Sequence, residues 1–204
     1  FLSVFRSPAF WSLSPLTMFS QAAFLSIQGL WAGPWLRDIA GLPRPQIATV
    51  LSWSALSMIT GFICLGYLAE TLAKKGISIR MTSIAAMTVF LLIQVGIIVE
   101  LPVPPSVLWI VFSFFGTSGI LAYSALSGMF PKFLSGRVTT CINMMVFVAA
   151  FVLQWAIGAV INLWEVSAAG HYHPMGYRAG LIMVLLLELA GLGFAWFSIK
   201  GRKN

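Results

Sequence analysis

The sequence predicts an all-α integral membrane protein of six transmembrane helices, and three observations predict it. Apolar residues make up 59% of the chain and charged residues only 8%, with a mean hydropathy of +0.95. A soluble domain carries about a quarter charged residues, so a water-facing surface cannot be built over these 204 residues. The apolar residues also form long continuous runs, not the alternating stretches of about ten residues that barrel strands show. In lipid every backbone amide must be bonded within its own segment or a closed barrel, which leaves helices. Third, the basic residues fall in short clusters between the runs.

A helix needs about 20 apolar residues to cross a bilayer, and six stretches reach that length. They cover about residues 10–36, 47–68, 80–99, 106–129, 138–163 and 177–199. Turn-forming punctuation separates them: Gly41-Leu42-Pro43-Arg44-Pro45, Lys74-Lys75-Gly76, Pro102-Val103-Pro104-Pro105, Pro131 to Gly136, and His173-Pro174-Met175-Gly176. The chain opens on Phe1 and shows no cleavable signal pattern, so it is read as part of a longer polypeptide.

Orientation follows from Lys and Arg, which cytoplasmic loops retain. One side carries Arg6, Lys74, Lys75, Arg80, Lys132, Arg137, Lys200, Arg202 and Lys203, and the other only Arg37, Arg44 and Arg178. Both ends are therefore expected in the cytoplasm. The net charge of +7 is thereby a topology signal; no basic patch with interleaved aromatics points to nucleic acid. Trp31, Trp35, Trp109, Trp164 and Trp196 lie near span ends, where aromatic rings favour the interface. Cys64 and Cys141 lie in or beside apolar runs and read as small buried packing residues. Gly29 with Gly33, and Gly176 with Gly180, have the four-residue spacing at which helix backbones approach closely.

No enzyme constellation is present: there is no His-Glu-x-x-His, no phosphate loop and no nucleophile elbow. The run His171-Tyr172-His173-Pro174-Met175 contains metal-ligand types, but two histidines two apart in a loop read equally as solvated residues at the membrane surface. Polar residues inside the spans say more, because unpaired polar groups are costly in hydrocarbon. Gln21, Gln28 and Trp35 recur every seven residues in the first span, with Trp31 beside Gln28. Asn143 and Gln154 share a face of the fifth. The second span offers Trp53, Ser54 and Ser57, and the fourth Thr117 and Tyr123. These groups could line a solute cavity, or they could bond between helices. Glu188 stands near the middle of the sixth span, where a carboxyl is by default a functional group such as a proton carrier.

Two segments resemble the major facilitator superfamily. Gly66, Glu70, Lys74 and Lys75 match the loop signature Gly-x-x-x-Asp-Arg-x-Gly-Arg-Arg in type and spacing, while Thr71 and Ala73 depart from it. In that family the C-terminal copy of the signature is usually degraded. The run Phe130-Pro131-Lys132-Phe133-Leu134-Ser135-Gly136-Arg137, followed by Asn143, is similar to the link from the tenth to the eleventh helix of bacterial members. Gly29 to Asp38 resembles the end of the seventh helix, so the likeness runs in order through nearly the whole chain.

The resemblance implies a twelve-helix carrier of two six-helix halves, each a pair of inverted three-helix repeats. Residues 1–204 would be the C-terminal half, in the bacterial inner (plasma) membrane, with the N-terminal six-helix half of the same transporter as its partner. The implied activity is secondary active transport of a small-molecule solute by alternating access, ion-coupled and without a cofactor. On this mapping the cavity residues are Gln21, Gln28, Trp31, Trp53, Tyr123, Asn143 and Gln154. Glu70, Lys74, Lys75 and Arg137 form a gating charge cluster, and Glu188, on an outer helix, is a possible proton site. The alternative is a non-transporting six-helix membrane subunit or scaffold, which would tolerate apolar replacement of the intraspan amides.

Overall fold

Proline and glycine set the helix boundaries in a computed structural model that describes residues 2–168 and 170–200. Two short helices, α1 (Leu2–Phe5) and α2 (Pro8–Trp11), precede α3 (Ser14–Ser26). A π-helical turn over Ile27–Trp31 joins α3 directly to α4 (Ala32–Asp38). Pro43 precedes α5 (Arg44–Lys74), which ends before Gly76 at φ +85, a conformation that glycine adopts without steric cost. The Ser78 hydroxyl accepts from the Met81 amide at 3.3 Å and caps α6 (Ile79–Ile98), as N-cap serines do. There follow α7 (Pro105–Gly116), α8 (Gly119–Ser127), α9 (Lys132–Ile161) and α10 (Pro174–Lys200).

All the described regular structure is helical. Five stretches are long and apolar enough to cross a membrane: Arg44–Lys74, Ile79–Ile98, Pro105–Ser127, Lys132–Ile161 and Pro174–Ser198. The expected first span, residues 10–36, is not one α-helix: it is helical from Ser14 to Asp38 but divided by the π-turn. The expected fourth span breaks between Gly116 and Gly119. The second and fifth helices begin before their apolar runs, at Arg44 and Lys132.

The first stretch is central: α3 packs on α7, α8, α9 and α10, and α5 packs chiefly on α7. Phe24, Phe90 and Phe112 meet at its core, Phe90 and Phe112 with ring centroids 4.8 Å apart. Trp35 and Trp109 pack edge to face at 5.5 Å and are buried. They serve the core and not the membrane interface, where the sequence placed them. Gly176 and Gly180 do bring helices together, since an added Cβ would meet Ile161 O at 3.0 Å and Ile157 Cγ2 at 3.2 Å. Gly33 has nothing within 4 Å. Cys141 is buried but Cys64 is exposed on α5, contrary to the packing role expected of it.

The two ends of the bundle are tied differently. At the basic end Arg80 donates to the carbonyls of Ser12 and Ala195 at 3.3 and 3.4 Å. The side chain of Lys200, and Arg202 and Lys203, lie outside the described residues. At the opposite end the buried Asp38 carboxylate accepts from Arg37, from the Tyr172 amide (3.1 Å) and from the Tyr177 hydroxyl (2.7 Å). The His171 ring lies 2.7 Å from it. Burial alone would raise the Asp38 pKa, but these hydrogen bonds outweigh it and hold the carboxyl at about 2. One carboxylate thus ties the end of α4 to the 163–173 loop and the start of α10.

Candidate functional site

The cavity candidates fall into two groups on the first helical stretch, one turn-pair apart. Near the basic end, Gln21 of α3, Tyr123 of α8 and Asn143 of α9 line one pocket of about 400 Å³, with Phe62 of α5, Thr139 and Phe147. The Tyr123 hydroxyl donates to Asn143 Oδ1 at 3.3 Å. Gln21 Nε2 donates to the Gly116 carbonyl at 2.9 Å. That carbonyl is free for a side chain because α7 stops there. The break is fixed by glycines: a Cβ on Gly116 would lie 2.2 Å from the Phe24 ring, and one on Gly119 would lie 2.0 Å from Gln21 Cδ. Each of the four helical stretches expected at the cavity contributes to this pocket. It offers amide and phenol groups beside aromatic and aliphatic walls, a lining suited to a small, partly polar solute.

The second group is more enclosed. The Ser113 hydroxyl donates to Gln28 Oε1 at 3.1 Å, joining the first stretch to α7. Trp31 is buried, donates from Nε1 to the Gln154 carbonyl at 3.3 Å, and meets Tyr172 and Tyr177 edge to face. The Gln154 amide lies over Gly29, 3.7 Å from where a Cβ would stand. Here the Gln28 amide bonds between helices, whereas Gln154 is engaged through its backbone carbonyl. Trp53 stands exposed on α5, nine residues and so about 14 Å from Phe62. The structure does not bring it to the pocket.

The expected stripe Gln21–Gln28–Trp35 is broken by the π-turn. Its wider turn advances the helix phase by about one residue, so Gln21 and Gln28 stay half-buried while Trp35 turns into the core.

Of the residues expected in a gating charge cluster, Glu70 pairs with Lys74 one turn along α5 at 2.8 Å, with both side chains exposed. Among the described residues no ion pair joins Glu70 to Arg137. Surface pairs of this kind are worth little.

Glu188 is fully buried, and neither of its oxygens has a hydrogen-bond partner. The Gln94 side chain lies beside it, with Nε2 donating to the Leu181 carbonyl at 3.4 Å and Oε1 unpartnered. Sequence reasoning passed over Gln94, although an amide deep in an apolar span was a legible signal. It also passed over Asp38, whose role depends on a loop more than 130 residues away in sequence. His171 turns to Asp38, and His173 Nδ1 accepts from the Met175 amide at 3.2 Å at the start of α10. Among the described residues no three His, Cys, Asp or Glu side chains are grouped as metal ligands.

The chain matches no protein-family model, no curated protein and no solved structure.

Proposed function

We propose that the chain is the C-terminal six-helix half of a secondary active transporter of the major facilitator type, moving a small, partly polar solute by alternating access. The observation that carries this reading is the meeting of Gln21, Tyr123 and Asn143 at one pocket, from three helical stretches distant in sequence. The sequence likeness at Gly66 to Lys75, at Phe130 to Asn143 and at Gly29 to Asp38 supports it.

A three-helix pattern that occurs twice along the chain also supports it. The first and fourth stretches are both interrupted, at Ile27–Trp31 and between Gly116 and Gly119. The second and fifth are the longest, at 31 and 30 residues, and both follow a proline. Among the five long apolar helices they are also the least buried. The third and sixth are unbroken helices. Such a pattern suits two inverted three-helix repeats, in which interrupted helices commonly stand at the substrate site.

The N-terminal six-helix half would cover the open faces of α5 and α9, where Trp53, Phe147, Phe151 and Trp155 are exposed. Both termini would be cytoplasmic in the bacterial inner membrane. Glu188 would carry a coupling proton, since a buried carboxyl without partners is costly when charged.

The test is uptake of radiolabelled sugars, amino acids and organic acids by vesicles containing the chain with its N-terminal half. Asn143→Leu and Tyr123→Phe should each lower uptake of the responding solute by about tenfold, the worth of one lost hydrogen bond of about 1.4 kcal/mol. Thermal stability should be little changed. Undiminished uptake in both variants would reject the pocket.

A further inference from the structure

A second cavity has the opposite chemistry. Between α5 and α6, at the basic end, runs a groove of about 380 Å³ whose lining is almost wholly apolar. Leu65 and Ala86 form its buried floor, and the exposed side chains of Leu68, Met81 and Val89 form its walls. Thr82 is the one hydroxyl in the lining, and it already donates to the Ser78 carbonyl at 3.4 Å. Nothing in the groove would hold a polar solute.

Its length and position match one leaflet of a bilayer. Along α6 the lining runs from Met81 to Val89, eight residues and about 12 Å by helix rise, and Ile77 extends it toward the roughly 15 Å of one leaflet. The groove's outer end, at Leu72 and Ile77, is bounded by the turn that carries Lys74 and Lys75. Lys74 is paired with Glu70 at 2.8 Å. Lys75 has no ion pair among the described residues, and the turn keeps one net positive charge. Arg80 is turned inward to Ser12 and Ala195, so Lys74 and Lys75 are the basic side chains exposed on this turn.

We propose that this groove seats one acyl chain of an anionic phospholipid, whose headgroup phosphate rests on Lys75 with Lys74 beside it. The apolar furrow supplies retention and the turn supplies charge selection. A membrane phospholipid fits both parts at once, whereas free phosphate would use only the second. The inference does not depend on the transport reading, because it concerns the outer face of the α5–α6 hairpin and none of the Gln21–Asn143 pocket.

The test uses the chain in phosphatidylcholine vesicles with trace spin-labelled phosphatidylglycerol or spin-labelled phosphatidylcholine. Electron spin resonance reads the motionally restricted fraction of each. Phosphatidylglycerol should be preferred about fivefold at low salt, as expected for one lysine near the surface, and the preference should shrink in high salt. Lys75→Gln should remove most of it. Ala85→Trp, which fills the groove, should lower the restricted fraction of both lipids, and inorganic phosphate should not compete. Both positions, Lys75 and Ala85, are exposed, so these variants leave the core intact. Equal restriction of the two lipids, a preference that survives Lys75→Gln, a restricted fraction unaffected by Ala85→Trp, or displacement by inorganic phosphate would overturn the proposal.

Discussion

Gln21 donates 2.9 Å to the carbonyl of Gly116, and its side chain lies where a Cβ on Gly119 would have to stand. One amide therefore closes the break between α7 and α8 and presents its remaining surface to the polar pocket. Gly119→Ala should push Gln21 off this carbonyl. The expected loss is about 1–3 kcal/mol of stability, as for overpacking of a close contact, with uptake falling further than Tm. Thermal unfolding in detergent and vesicle uptake, measured side by side, check this; a variant with unchanged stability would refute the contact.

Gly61 and Gly66 lie on the same helix and make a controlled pair. A Cβ on Gly61 would stand 2.6 Å from the Phe114 carbonyl oxygen, while Gly66 has nothing within 4 Å. Gly61→Ala must move backbone and should cost about 1–3 kcal/mol. Gly66→Ala should be neutral or stabilise by up to about 1 kcal/mol through helix propensity. Unfolding midpoints of the two variants decide the matter, and equal values would mean that α5 does not sit against α7 at Gly61.

Asp38 gives a pH prediction. Its carboxyl titrates at about 2 in the folded chain against an ordinary 3.8. A depressed pKa contributes stability that is full above about pH 4 and is lost as pH falls toward 2. Asp38→Asn should cost about 3 kcal/mol near neutrality, as removal of a buried hydrogen-bonded charge does. It should also flatten the stability profile between pH 4 and 2. Unfolding midpoints across that range, wild type against variant, provide the check; parallel profiles would contradict the assignment.

Glu188→Gln keeps the shape of a fully buried side chain while removing its titration. The variant should fold normally and still exchange solute across vesicles at equilibrium. Uptake driven by a pH gradient should fall by about tenfold or more, a barrier of at least 1.4 kcal/mol. Normal gradient-driven accumulation would exclude Glu188 as the proton carrier.

Helical class and five of the six expected spans were legible, because they rest on composition and run length, which lipid enforces along the chain. The meeting of Gln21, Tyr123 and Asn143 was partly legible, because each is polar within an apolar span. What the sequence concealed was helix phase. A single π-turn at Ile27–Trp31 moves Trp35 from the expected cavity stripe to a buried contact with Trp109. The break after Gly116 was equally hidden, since its cause is the approach of Phe24 and Gln21 from another helix. Gln28 looked like Asn143 in sequence, and both bond to a neighbouring helix, yet only Asn143 lines the pocket. Partners from distant segments decide such cases, and a periodicity along one helix does not contain them.

The most direct measurement of the account is solute uptake by vesicles holding the chain together with its N-terminal half, compared with vesicles holding the chain alone. On the proposed reading the chain alone is one wall of a rocking pathway, so saturable uptake is expected only from the pair. In that pair it should be abolished by replacing both Gln21 and Asn143 with Leu. Saturable uptake by the chain alone, or uptake by the pair that ignores the double replacement, would contradict it.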